Sequence, residues 1–253
     1  MDTNQPIRAT GAAVTGARHL RTARNGQDAV AVWIGEAQGA VVVCDGCGAG
    51  GSSEVGARLG AQLVVSVLAR ELAAGESPMD LAMWTRMRAE VVTRIGVLAA
   101  TMPGDRAQII HEYFLFTVVA AAVAGDHAAV WAIGDGAYAI GARTRELGPF
   151  VDNQPPYLAY DLLEMPQEAH LEVTSAAGGG AIVVATDGVA ELGLDAISVE
   201  RSLAHPDALR RQLTILARGS ERIEWETRRV VRVPAPLQDD GAVAILAWRG
   251  RAS

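Results

Sequence analysis

The sequence predicts an α+β fold built from antiparallel sheets with helices on the outside. Three observations predict it. Short apolar runs rich in valine and alanine end abruptly at Asp-Gly or Gly-Asp pairs, as buried strands do. Two long stretches carry apolar residues at helical spacing. The order is strands, two helices, strands, a helix, then a strand, which does not alternate as a doubly wound parallel sheet requires.

Taken in order, residues 1–10 are polar and read as a flexible N-terminus, leaving 11–253 as a single domain. Ala29 to Ile34 reads as a strand and Gly35 to Gly39 as a hairpin turn. Ala40 to Cys44 is the partner strand, running into Cys44-Asp45-Gly46-Cys47-Gly48-Ala49-Gly50-Gly51-Ser52-Ser53. Cys44 alternates with Asp45 and so faces the core. From Ser52 to Ala74, apolar residues at 55, 59, 63, 64, 67, 68 and 72 predict a helix, with Ser53 as its cap. Gly75-Glu76-Ser77-Pro78 breaks it. Met79 to Ala100 predicts a second helix, with Leu81, Trp84, Met87, Val91, Ile95 and Leu98 on one face. Three strands follow, Tyr113–Val123, Ala128–Ile133 and Tyr138–Ile140, joined by the hairpin signals Gly125-Asp126 and Asp135-Gly136. Residues 141–170 carry Pro149, Pro155, Pro156 and Pro166 and read as an irregular excursion over a site. A strand at Ala181–Ala185, a helix from Pro206 to Ala217 and a last strand at Ala242–Trp248 complete the pass. Arg228, Arg229 and Arg232 read as a solvated face or strand edge.

Bulk properties narrow the function. The formal net charge is −7, and no basic run stands out, which disfavours nucleic acid and anionic membrane as partners. The longest apolar stretch, Phe114 to Gly125, falls short of the ~20 residues that a membrane-spanning helix takes. Two cysteines in 253 residues do not make a disulfide framework. The N-terminal stretch shows no secretory signal pattern, so the expected location is the cytoplasm.

Four acidic-glycine turns, at Asp45-Gly46, Asp135-Gly136, Asp187-Gly188 and Asp240-Gly241, sit beside strand-like runs. One Asp-Gly pair is first a turn signal. Several converging on one place form a site in which carboxylates repel each other, and such a site needs divalent cations or shared protons. Cys44 and Cys47 also spell Cys-x-x-Cys, a redox alternative that lacks its usual βαβ frame. The five histidines form no metal-ligand spacing, and His19 reads as structural.

The ordered set resembles the metal-dependent serine/threonine protein phosphatases of type 2C, in a bacterial variant. The resemblance rests on Arg21–Asp28, Cys44-Asp45-Gly46, Phe116-Thr117 with Gly134-Asp135-Gly136, Thr186-Asp187-Gly188 and Asp239-Asp240, in the family's order. It implies a β-sandwich flanked by helix pairs, in α-β-β-α layers. It implies a centre of two Mn²⁺ or Mg²⁺ ions, with a third as an option. Asp45 would bridge the ions, Gly46 would add its carbonyl, and Asp187 and Asp239 would complete the first ion's ligands. Asp135 would hold the third ion and Asp28 would support bound water, so that Asp28 and Asp45 are the catalytic pair. The implied substrate is a phosphorylated protein, a Ser/Thr kinase or its target. The family's glutamate is Gln27 here, and its phosphate-binding arginine is Ala23, with Arg24 or Arg21 as substitutes. Cys47 stands where a histidine is common, and Gly-Ala follows Asp239-Asp240. These departures leave a second reading: a pseudophosphatase that uses the fold for binding or regulation.

Overall fold

The computed structural model describes residues 7–205 and 207–250 of the chain. The first half holds β1 (Ile7–Val14), α1 (Ala17–Thr22), β2 (Ala29–Ile34), β3 (Gln38–Cys44), α2 (Ser53–Ala73), α3 (Leu81–Thr101) and α4 (Arg106–Ile109). A single π-helical turn, Ile110–Phe114, extends α4. Then come β4 (Val118–Ala124), β5 (His127–Ile133), β6 (Gly136–Ile140), β7 (Arg143–Leu147), β8 (His170–Ser175) and β9 (Gly179–Ala185). The rest is α5 (Asp187–Ala190), α6 (Val199–Ala204), α7 (Ala208–Leu216), β10 (Ser220–Glu224), β11 (Arg229–Val233) and β12 (Gly241–Arg249).

Two antiparallel sheets of five strands, ordered β1-β12-β9-β6-β7 and β2-β3-β4-β5-β8, pack face to face. Their central strands are buried on both sides, which is why they read as nearly continuous apolar runs. In β3, Val41 and Val43 point between the sheets while Ala40, Val42 and Cys44 point to the helices. In β12, Ala242, Ala244 and Leu246 point between the sheets while Val243 and Ile245 meet α7. Three apolar layers result: α2 and α3 on one sheet, sheet on sheet, and α6 and α7 on the other sheet. Trp84 of α3 stacks on Trp131 of β5 with ring centroids 6.2 Å apart, and its indole N–H donates to the Pro78 carbonyl at 2.9 Å.

The fold is the expected α+β sandwich, with local corrections. The expected loose segment 1–10 is part of β1 from Ile7 onward; residues 1–6 lie outside the described residues. Ser53 is not a cap. Ser52 holds that place, and Ser53 is buried with its hydroxyl on Gln27. The strand expected over Tyr113–Val123 starts only at Val118, because 110–114 turns tightly against α2. Asp135-Gly136 is no hairpin. It is the crossover from β5 in one sheet to β6 in the other, with Gly134 and Gly136 at φ +98° and +115°. Residues 141–170 contain β7 and two short 3₁₀ turns, and the arginine-rich segment near 220–236 forms the hairpin β10–β11.

Candidate metal centre

The site forms where strands stop at one end of the sandwich. β3 ends at Cys44, and the chain continues through Asp45 and Gly46, whose backbone pairs with Phe116. The Asp45 carbonyl accepts from the Thr117 N–H at 2.8 Å, and the Gly46 N–H donates to the Gln27 carbonyl at 3.2 Å. A side chain at Gly46 would lie 2.9 Å from Ser53 and 3.0 Å from the Gln27 carbonyl, so only glycine fits this approach. β9 ends at Ala185, and Asp187 opens α5. Asp135 sits in the sheet crossover, and Asp239 precedes β12.

These pieces meet in one cavity of about 440 Å³ that Asp45, Gly46, Asp135, Asp187 and Asp239 all line. Gln154, Pro155, Tyr157 and Tyr160 supply another wall, so the 141–170 excursion does reach the site. Tyr157 and Tyr160 pack edge to face, 5.4 Å between centroids, and the Tyr157 hydroxyl is hydrogen-bonded to Cys47.

Asp28 lies beneath this floor. It is buried, hydrogen-bonded to Asp45, and accepts from the Thr186 hydroxyl at 2.6 Å. That hydroxyl in turn accepts from the Ala242 N–H at 2.9 Å, which ties β9 to β12 below the carboxylates. Asp240, beside Asp239, turns away from the cavity. Its Oδ1 accepts from the Gly16 N–H at 2.8 Å, and its Oδ2 meets the Gln27 N–H at 2.6 Å and His19 Nδ1 at 2.7 Å. His19 is therefore a buried structural partner of a carboxylate.

The electrostatics are those of excess negative charge. Burial, and then the Asp240 and Asp187 charges, push the Asp28 carboxyl up to about 8, against the hydrogen bonds with Asp45 and Thr186, which lower it. Burial and the Asp28 and Asp187 charges push Asp45 well above the ordinary range. Burial chiefly, and then Asp187, raise Asp135 to about 6; Asp187 is raised by burial first and by Asp239 among others. Asp135 Oδ1 is buried and lacks a hydrogen-bond partner among the described residues. Hard carboxylate oxygens, one of them orphaned, fit divalent Mg²⁺ or Mn²⁺. His19, Asp239 and Asp240 also lie within metal-ligand reach of one another, but the two buried members already satisfy each other.

Among the described residues, no arginine lines the cavity. The two arginines expected to hold phosphate are not brought to it. Arg21 lines a different groove with Leu20 and Glu221, and Arg24 is exposed elsewhere. The nearby guanidinium is that of Arg18, 3.5 Å from Asp239 Oδ2. Sequence reading missed it because Arg18 reaches the site only when α1 docks on the 237–240 loop, through Ala17 N–H to Leu237 and Arg18 N–H to Gln238. The Cys-x-x-Cys alternative finds two free thiols. Cys44 is buried in the helix-facing core, and burial followed by the Asp28 and Asp45 charges raises its pKa. A thiol held protonated is a poor nucleophile.

The sequence model of the family described as Protein phosphatase 2C matches residues 15–227. The chain belongs to this family. As a type 2C member it shares its fold with solved structures of low identity. PppA of Pseudomonas aeruginosa, described as a key regulatory component of T6SS, is 18% identical, with 96% of this chain and 98% of that chain covered and a TM-score of 0.59. The catalytic domain of the serine threonine protein phosphatase PstP, in complex with 2 manganese ions, is 18% identical over 96% and 98%, TM-score 0.56. The Mycobacterium tuberculosis serine/threonine phosphatase PstP/Ppp is 16% identical over 96% and 99%, TM-score 0.55. No curated protein matches this type 2C chain. No helix among its described residues is long and apolar enough to cross a membrane.

Proposed function

We propose that this type 2C chain hydrolyses phosphoserine and phosphothreonine in proteins, with Mn²⁺ or Mg²⁺ bound at the carboxylate cavity. The observation that carries the reading is the convergence of Asp45, Asp135, Asp187 and Asp239 on one cavity, with Asp135 Oδ1 left unpartnered. Asp45, the Gly46 carbonyl, Asp187 and Asp239 hold two ions, and Asp135 a third. Bound divalent ions supply Lewis acidity and lower the pKa of bound water, so that phosphate ester hydrolysis runs near neutral pH. Asp28, fixed by Thr186, orients water and Asp45 from below. Arg18, on the rim, meets the phosphate dianion in place of Arg21 and Arg24. The substrate is a phosphorylated protein, a Ser/Thr kinase or its target, in the cytoplasm.

The test is p-nitrophenyl phosphate and phosphopeptide hydrolysis titrated with Mn²⁺ and Mg²⁺. Metal-dependent turnover that Asp187→Asn lowers by about a hundredfold or more is expected; turnover unchanged in that variant, or surviving EDTA, refutes the assignment. Arg18→Ala should raise KM for phosphopeptide by roughly tenfold, as loss of a charge-assisted contact does, with a smaller change in kcat. Arg21→Ala and Arg24→Ala should match the parent.

A second reading has its own observation. Gln27 replaces a charged residue and spends its amide on the Ser53 hydroxyl at 2.6 Å, and among the described residues the cavity has no arginine. A binding module without turnover would retain calorimetric Mn²⁺ binding and capture a phosphopeptide yet leave both substrates uncleaved.

A further inference from the structure

We propose that the groove between α2 and α7, on the open side of the sandwich, docks an acidic polypeptide segment in extended conformation. β1 and β2 are the end strands of their sheets, each hydrogen-bonded on one side only. They lie side by side, and along them runs a cavity of about 580 Å³ whose floor is residues 11–15 and 28–30. The side chains there are small, among them Gly11, Ala12, Ala13 and Ala29, so backbone groups are within reach of a visitor.

End strands are normally blunted by charges, prolines or cover, because an unprotected edge recruits another strand. The opposite side obeys that rule. There β7 and β8 are strapped together by Glu172, which takes Arg143, Arg145 and the Tyr138 hydroxyl, while Tyr138 also bonds His170 at 2.7 Å. On the β1 and β2 side the one charge in the strands is Arg8, whose guanidinium donates to the Leu203 carbonyl and does not line the cavity. Gly11–Val14 and Ala29–Ile34 contain no charged residue and no proline. An edge left open beside a cavity has the form used for strand addition.

The walls give the chemistry of the occupant. Arg58 and Gln62 stand on the α2 side and Arg210 on the α7 side, all exposed. Arg58 has no carboxylate partner among the described residues, and Arg210 has only Asp207 at 3.3 Å, also solvent-facing. Among the described residues the one carboxylate on the lining, Asp28, is buried and hydrogen-bonded to Asp45 and Thr186. On a chain of net charge −7 an acidic segment is repelled from most of the surface and drawn to these two guanidiniums. Five floor residues accept a strand of about 17 Å, with alternate side chains toward the small-residue floor and toward the arginines.

The probe is a fluorescein-labelled peptide of about six residues that alternates Glu and Val, one side-chain period per pair. Anisotropy is read against the full chain. The comparators are a Lys/Val peptide and a Glu/Val peptide with alternate amides N-methylated. Saturable binding of Glu/Val is expected, at least about tenfold tighter than either comparator, and lost by a similar factor in Arg58→Glu/Arg210→Glu. If circular dichroism shows that this double variant is unfolded, Arg58→Gln and Arg210→Gln singly should each weaken binding severalfold. No saturable binding, equal binding of Lys/Val, or binding unaffected by the arginine variants overturns the proposal. Equal binding of the N-methylated peptide, or full displacement by millimolar inorganic phosphate, reduces the groove to an anion patch and overturns strand docking.

Discussion

Asp240 holds two segments at three points with one carboxylate: α1 at its entrance and at His19, and the Gln27 backbone. Its neighbour Asp239 faces the cavity, so two consecutive acids do different work. Alanine at 240 would strand two buried N–H groups and a buried imidazole. Asp240→Ala should therefore destabilise the metal-free protein by about 3 kcal/mol, read as a shift in the urea midpoint with m unchanged. A change under about 0.5 kcal/mol, the range of ordinary surface substitutions, would refute this role. At this scale the sequence shows the acids and their glycines, because Asp-Gly at the end of an apolar run is a local pattern. It does not show partners. His19 and Asp240 are 221 positions apart, and Arg18 and Asp239 likewise. Only α1 docking on the closing loop unites them, where a side chain at Gly16 would lie 2.0 Å from the Asp239 carbonyl.

Elements were legible in proportion to their regularity. α3 spans Leu81–Thr101 against an expected Met79–Ala100, since its buried stripe of Trp84, Met87, Val91 and Ile95 repeats at helical spacing. Residues 113–117 read as the start of a strand because the aromatic and β-branched residues there suit one, while the chain must turn under α2 before β4 begins at Val118. The Asp135 crossover was misread because the same Gly-Asp-Gly that closes a hairpin also lets a chain change sheets. Tyr138 is the strap between the sheets on the β7 and β8 side. Tyr138→Phe should cost about 1 kcal/mol, the ordinary worth of a hydrogen bond, with amide exchange quickened in β7 and β8 ahead of β3 and β4. Uniform exchange across both sheets would show that the strap holds nothing locally.

For the whole molecule, the carboxylate cavity sets how stability depends on pH. Asp135 and Asp28 titrate at about 6 and about 8 when folded, against 3.8 for an ordinary aspartate. A raised folded pKa contributes stability that is full below the unfolded value and lost as pH rises through the folded one. The metal-free protein should thus lose stability from about pH 4 to pH 8, and most of it should be gone at the upper end. Divalent ions, which bind the ionised carboxylates, compete with those protons. The rise in Tm on adding Mn²⁺ should be larger at pH 8 than at pH 5 by scanning calorimetry; equal rises would contradict the carboxylate cavity as the site of binding.

The strand order β1-β12-β9-β6-β7 has a consequence for biosynthesis. β12 lies between β1 and β9, so the first sheet has a gap until the segment after Asp239 has left the ribosome. During that interval β1 waits for a partner, Gly11 pairing with Ala244 and Val14 with Gly241. The nascent chain can complete the β2-β3-β4-β5-β8 sheet early, with α2 and α3 already upon it. A translation product halted before residue 239 would carry that half in folded form, lack one cavity acid, and present β1 and β9 to whatever chaperone or neighbouring chain meets them first.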